Sequence, residues 1–296
     1  MNQFLNTEFR TPLGLAHRTL DSFDFPDDQQ RFKAQCELLL EEVGPHQGPK
    51  VFSFTFGIPD QKTLDQFRLK NFVIMGTATS IKEAQELDRA NIDGIVLQGR
   101  EAGGHRGTFL PNQERSSVLV PTMELLQSCL DAGIKTPLIC SGGVSNGANI
   151  AAMIKAGASA VQVGSAFIPC IESGSPDNYK DVIAKASQTN QVEIGTAFTS
   201  HPPNQTDIVF TKCFTGRYAR AINNKFIELV EKEFGDDIPP FPIQHILTTD
   251  IRKTAMAQGN TDLCHLWIGG SAKLSKKATS TKSIMEELIK DYERSK

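Results

Sequence analysis

Excess positive charge is absent from this chain of 296 residues, in which 31 lysines and arginines face 34 aspartates and glutamates. The basic side chains are scattered rather than striped, so nothing is arranged to neutralise a phosphate backbone, and nucleic acid is excluded as an expected partner. Long apolar runs are missing too: no stretch approaches the roughly 18 to 20 uninterrupted apolar residues of a membrane span. Met1 to Arg10 mixes Asn, Gln, Glu and Arg with single Phe and Leu residues, which gives neither the apolar core of a signal peptide nor an acid-free transit sequence. The expected location is the cytoplasm. The cysteines, Cys36, Cys129, Cys140, Cys170, Cys213 and Cys264, never form the short Cys-x-x-Cys pairs of zinc or thioredoxin-like sites, and they read as reduced thiols. No histidines stand in a His-Glu-x-x-His or facial-triad spacing, so no metal site is expected. A Walker-type Gly-x-x-x-x-Gly-Lys-Ser/Thr is lacking as well, and Gly99 to Gly104 does not keep the Gly-x-Gly-x-x-Gly spacing, which weakens nucleoside triphosphate and Rossmann readings. Tryptophan occurs once, at Trp267, where core packing is the favoured reading.

What is present is a repeated layout. From residue 51 to about 170, short β-rich runs end in Gly or a small polar residue and are followed by amphipathic helices. The candidate strands are Val51 to Phe56, Phe72 to Met75, Gly94 to Gln98, Pro137 to Cys140 and Ala160 to Val163. Their consecutive apolar positions suit parallel strands buried on both faces, and the architecture is α/β. Ser80-Ile81-Lys82-Glu83 forms a capping box, and Thr122 and Ser145 are expected to cap two later helices. One helix, about Asp27 to Val43, stands ahead of these units. Beyond about residue 170 the pattern changes to a strand pair, Val192 to Phe198 and Asp207 to Cys213, and to helices near Ala219 to Phe234, Ile246 to Ala257 and Ser283 to Tyr292. The expected division is residues 1–50, mostly one helix; 51–215, the β/α units; and 216–296, a helical extension packed on them.

Three Gly-bearing turns follow successive strands: Gly99-Arg100-Glu101-Ala102-Gly103-Gly104-His105-Arg106-Gly107, then Ser141-Gly142-Gly143-Val144, then Gly164-Ser165. Glycines at strand carboxyl ends let backbone amides approach a ligand closely, and amides opening a helix present partial positive charge to an anion. Two such turns one unit apart describe the phosphate pocket of a β/α barrel. Gln98 and Gln162 end their strands beside these turns, where each can hydrogen-bond a heterocycle edge or a phosphate. His105 lies in a glycine-flanked loop where an imidazole can reach a bound ligand. A structural role and proton transfer are both open for it on residue logic.

Taken in order, Gly76-Thr77-Ala78-Thr79-Ser80, Gln98 to Thr108, Ser141-Gly142-Gly143 and Gln162-Val163-Gly164-Ser165, together with Thr215 to Arg220 and Leu266-Trp267-Ile268-Gly269, resemble the nitronate monooxygenase family, formerly called 2-nitropropane dioxygenase. The resemblance covers roughly residues 50 to 295. It implies a TIM-type (β/α)8 barrel that binds FMN without covalent attachment and oxidises alkyl nitronates, of the propionate 3-nitronate type, with molecular oxygen. Carried over by motif, Gln98, Gly103 and Gly104 line the flavin, while Gly142, Gly143, Gln162, Gly164 and Ser165 hold its phosphate. His105 matches the family histidine, a base for neutral nitroalkanes and an orienting group for nitronates that are already deprotonated. The implied partners are a nitronate and oxygen; the oligomeric state is left open, a homodimer being one option.

The family's opening strand ending in Ala-Pro-Met, its Gly-rich second strand and a third carrying an Asn are not recognisable here. Met1 to Phe9, with Asn2 or Asn6, offers only a loose counterpart to that third strand. The expectation is therefore a barrel incomplete at its amino end, with unpaired strand edges and a C-terminal helical cap. Two alternatives stand beside the monooxygenase reading. One is an FMN-dependent enoyl-acyl carrier protein reductase, whose loop also contains Glu-Ala-Gly-Gly-His; the other is a non-catalytic truncated family member.

Overall fold

Apolar runs of the first half become the strands of one parallel sheet. In the computed structural model, which describes residues 1–19, 21, 27–42, 50–113, 120–188, 208–270 and 279–296, the strands are β1 (Val51–Phe54), β2 (Val73–Ala78), β3 (Gly94–Gln98), β4 (Gly104–His105), β5 (Leu138–Ser141), β6 (Ala160–Gln162), β7 (Ile208–Thr211) and β8 (Ala219–Ile222). Five of them form a parallel sheet in the order β1-β2-β3-β5-β6. The other three form an antiparallel sheet, β4-β8-β7. The helices are α1 (Asn2–Leu5), α2 (Asp28–Glu42), α3 (Gln61–Leu69), α4 (Ile81–Arg89), α5 (Thr122–Asp131), α6 (Gly147–Lys155), α7 (Asp177–Gln188), α8 (Lys225–Phe234), α9 (Ile243–Ala257) and α10 (Thr281–Ser295). Helices α3, α4, α5 and α6 connect successive parallel strands, as βαβ crossovers require. Among the described residues β1 and β6 are the sheet's edges, and the sheet does not close on itself.

Two cores result. One packs the parallel sheet against its helices through Phe54, Leu64, Ile74, Leu87, Ile95 and Leu125, with Phe52 stacked on Phe67 at 3.8 Å between ring centroids. The other gathers the amino-terminal segment with β7, β8, α8 and α9, and its Phe226 ring lies 4.7 Å from both Phe9 and Phe214. All six cysteines are buried and unpaired. No helix among the described residues is long and apolar enough to cross a membrane.

Several local expectations are corrected. Residues 1–10 are helical rather than a remnant strand, because Leu5 and Phe9 recur at helical spacing and both bury in the second core. Asn2 and Asn6 donate to the carbonyl of Arg18 and accept from Arg10 instead of reaching towards the sheet. Ala219–Ile222 is a strand, not the start of a helix; its ladder with β7 and its bridge to Trp267 outweigh the helical preference of Ala-Arg-Ala. Val192 to Phe198 lies outside the described residues, and β7 pairs with β8. Thr122 is the first residue of α5, behind Pro121, and its hydroxyl donates to Glu101. Asn146, not Ser145, caps α6, accepting from the Asn149 amide at 2.9 Å. The capping box is half realised: Ser80 accepts from the Glu83 amide, but the Glu83 carboxylate turns to Thr79, Phe109 and Leu110.

Candidate active site

The carboxyl ends of β3, β5 and β6 carry the three Gly-bearing turns, and parallel pairing brings all of them to one side of the sheet. There they enclose a cleft of about 380 Å³. Gln98, Gly103 and Gly104 line it from the loop after β3, Gly142 and Gly143 from the turn after β5, and Gln162, Gly164 and Ser165 from the turn after β6. The eight residues expected to share a ligand are thus neighbours. Gly142 and Gly143 have φ of +114° and +77°, and a Cβ on Gly142 would stand 2.6 Å from the Ala102 amide nitrogen. Glycine is required there by conformation and by the closeness of the first loop.

The Gln98 amide is mostly committed to that loop. Its Nε2 donates to the His105 carbonyl at 2.9 Å, and its Oε1 accepts from the Gly107 amide at 2.8 Å. Buried Arg106 donates to the carbonyls of Gln98 and Gly99, at 2.6 Å each, so the loop folds back on its own strand. Further along, fully buried Glu83 accepts from the amides of Phe109 and Leu110 and from the amide and hydroxyl of Thr79. The sequence motif is therefore a loop held from both ends by side chains of its own α/β unit.

His105 is placed beside the cleft by antiparallel pairing of β4 with β8. Its ring centroid lies 5.1 Å from that of Trp267, which lines the cleft, and its Nε2 is 2.9 Å from the Thr215 hydroxyl. Burial depresses its pKa to about 4, with the positive fields of Arg252, His245 and Arg217 adding to the effect. The ring is neutral at pH 7, with one nitrogen able to donate and the other to accept. An anion arriving beside it would offset those fields and raise its basicity.

Trp267, read from sequence as core packing, is half-buried and forms part of the cleft wall. Its segment is tied down by Tyr179, whose hydroxyl donates to the Trp267 carbonyl at 2.5 Å, and by the Gly269 amide donating to Ser165 Oγ at 2.8 Å. Thr215 and Trp267 were hidden from local reasoning because they are far from His105 in sequence. The signal that could have found them is the ordered pair of C-terminal motifs that contain them. No cluster of His, Cys, Asp and Glu able to hold a metal ion occurs among the described residues.

Comparison with known proteins agrees with this geometry. Residues 29–291 match the family described as nitronate monooxygenase. A probable nitronate monooxygenase of Staphylococcus saprophyticus is 35% identical over 263 residues, covering 89% of this chain and 67% of that protein. One from Staphylococcus aureus is 36% identical over 248 residues, covering 84% and 63%. The chain thus spans about two thirds of the length of these relatives. A solved nitroalkane oxidase from Streptomyces ansochromogenes superposes with a TM-score of 0.75 at 29% identity, covering 89% of this chain and 68% of that one. FabK from Thermotoga maritima, at 24% identity and a TM-score of 0.62, shares the fold. Motifs, cleft and relatives converge: the chain belongs to the nitronate monooxygenase family, a family of oxidoreductases.

Proposed function

We propose that this protein oxidises alkyl nitronates, of the propionate 3-nitronate type, with molecular oxygen, using FMN held in the cleft. The observation that carries this reading is the meeting of three Gly-bearing turns with Trp267 in one cleft, with a neutral His105 packed against Trp267 beside it. The residues fit the cofactor. A Cβ added at Gly104 or Gly164 would meet nothing within 4 Å, so those two positions are open towards the cleft they line. Gly142, Gly143, Gln162, Gly164 and Ser165 are the residues to hold a phosphate, since their backbone can approach it closely. Gln98 keeps one amide hydrogen and one lone pair for a heterocycle edge after serving its loop.

Bound FMN would supply electron acceptance from the nitronate and the reaction with oxygen. The chain's own work is to orient and to exclude water. Trp267 and the loop after β3 wall off the ligand. His105, held by Thr215, donates a hydrogen bond to an anionic nitronate in its neutral form, or accepts the carbon-bound proton of a neutral nitroalkane. The expected partners are one nitronate and oxygen, and the expected location is the cytoplasm.

The test is to add FMN to the purified chain, remove the excess, and record the visible spectrum and oxygen uptake with a nitronate and no NADH. Retained yellow colour with oxygen uptake supports the reading. NADH oxidation driven by an enoyl thioester, without nitronate turnover, would make the chain a reductase. A colourless protein would leave a non-catalytic family member.

A further inference from the structure

Arg220 lies in β8, opposite Gly104 on one side and Phe210 on the other. Its side chain is wholly buried, and Nε, Nη1 and Nη2 all lack a hydrogen-bond partner among the described residues. The Phe210 ring, 4.4 Å from the guanidinium carbon, is its contact on one face. Neighbouring cations are better placed: Arg106 donates to two strand-end carbonyls, and Arg100 lies 4.0 Å from the Glu101 carboxylate. Glu101 is the carboxylate whose field favours the charged form of Arg220, but its Oε2 accepts from the amide and hydroxyl of Thr122.

The position of the guanidinium is informative. Arg220 Nη1 comes within 3.5 Å of the point where a Cβ on Gly270 would sit, and the Glu101 carbonyl oxygen lies 3.7 Å from the same point. Glu101, Gly104 and Gly269 line the cleft. The charge therefore lies behind a wall made of glycine and main chain, with the field of Glu101 favouring it, that of Arg100 opposing it, and no hydrogen bond to either. A buried ion without a partner is unfavourable, and an apolar side chain of similar volume would fill the space without that penalty. A cation fixed in a low-dielectric wall acts on charge that develops in the cleft without having to reorganise.

Flavin gains negative charge in its ring on two-electron reduction at neutral pH, whereas the oxidised ring is neutral. We infer that Arg220 is a positioning residue whose unpaired charge makes the cleft hold reduced FMN more tightly than oxidised FMN. The inference rests on the FMN reading above. It is tested on the FMN-loaded protein by the flavin midpoint potential, which a purely structural role would leave unmoved. Arg220→Met is expected to lower the potential by about 30 mV or more, a tenfold loss of preference for the reduced form in a two-electron couple. Arg220→Lys is expected to keep most of it. If Arg220→Met does not fold, Arg220→Gln is compared with Arg220→Lys by the same measure. A yellow variant without the charge and with the wild-type potential overturns the inference alone, whereas a wild-type protein that retains no FMN overturns the cofactor reading on which it rests.

Discussion

His105 has the clearest consequences for solution behaviour among single residues. On the proposed function, its neutral state predicts that turnover of a neutral nitroalkane should show no inflection near the ordinary histidine value of about 6.5, with the acid limb expected near pH 4. The pH profile of kcat/KM checks this. Replacing it, His105→Asn, is expected to slow a neutral nitroalkane by about a hundredfold or more, the usual effect of losing a positioned base. A preformed nitronate should be slowed much less, because no proton is left to remove. Stability moves with the same group. His105 and His265 both have pKa values depressed to about 4 by burial first, so between about pH 6.5 and 4 the unfolded chain binds more protons. Stability is then full above about pH 6.5 and falls as pH drops towards 4. His265, whose Nδ1 is buried without a partner, can be changed to Phe to test this; urea midpoints for His265→Phe should decline less over that range than those of the wild type. Glu83 makes a separate point. Its carboxylate accepts from two loop amides as well as from Thr79, and Glu83→Gln, which turns a donor towards donors, should cost about 1–3 kcal/mol in urea unfolding.

At the scale of elements, local demands were legible and distant ones were not. The glycine turns could be read directly, because a positive φ or a close backbone approach at Gly142 restricts the residue type regardless of what else surrounds it. Strand β3 could be read because burial on both faces leaves an apolar run, whereas β1 and β5 alternate buried with more exposed positions and β6 has none that is buried, so burial on both faces does not hold for them. The β8 strand could not: Ala-Arg-Ala-Ile favours a helix in isolation, and only pairing with β7 and Trp267 makes it extended. Likewise the Thr215 partner of His105 is 110 residues away, and no short pattern encodes that distance. The cap of α6 was misplaced by one residue because Ser145 and Asn146 are both competent, and the backbone angles decide between them. The C-terminal helix is legible in the sequence near Ser283 to Tyr292, whereas the particular helix it packs on is not. Helix α10 crosses α6 at Gly147, where a Cβ would fall 2.0 Å from the Tyr292 amide nitrogen and 2.3 Å from the Leu288 carbonyl oxygen. Backbone atoms cannot give way as a flexible side chain does, so Gly147→Val should undock α10 from the start of the helix that follows the Ser141 turn. Limited proteolysis is the check, with early cleavage in α10 expected for the variant and resistance in the wild type.

For the whole molecule, the cleft matters because its walls come from both cores. Gln98, Gly142 and Gly143 extend from the parallel sheet, whereas Trp267 and Gly269 belong to the segment that bridges β8 and the second core. Direct ties between the halves here are the short β4–β8 ladder, the His105–Trp267 ring contact and polar links such as the Arg106 amide donating to the Tyr218 carbonyl at 2.8 Å and Ser165 accepting from Gly269. The second core is also closed by its own clamp: fully buried Arg10 reaches Asp250 at 2.9 Å and the Leu247 carbonyl, joining the amino-terminal segment to α9. Breaking that clamp with Arg10→Ala should cost about 1.5–3 kcal/mol, the range of hydrogen bonds to a charged group, because Asp250 is partly exposed and keeps Arg18 at 3.8 Å, and the loss should fall mainly on the second core. A ligand filling the cleft touches both sides at once, so its binding energy adds to the contact between them. Free FMN at about a hundred times its dissociation constant would stabilise the loaded form by about 2.7 kcal/mol. Trp267 is the single tryptophan and sits at this junction, so its fluorescence follows the seam while far-ultraviolet circular dichroism follows both cores. Without FMN the two signals should lose structure at different urea concentrations; with FMN they should coincide at a higher one. Coincident transitions in the absence of FMN would mean that the cores already unfold as one unit and that the cleft is not where they are joined.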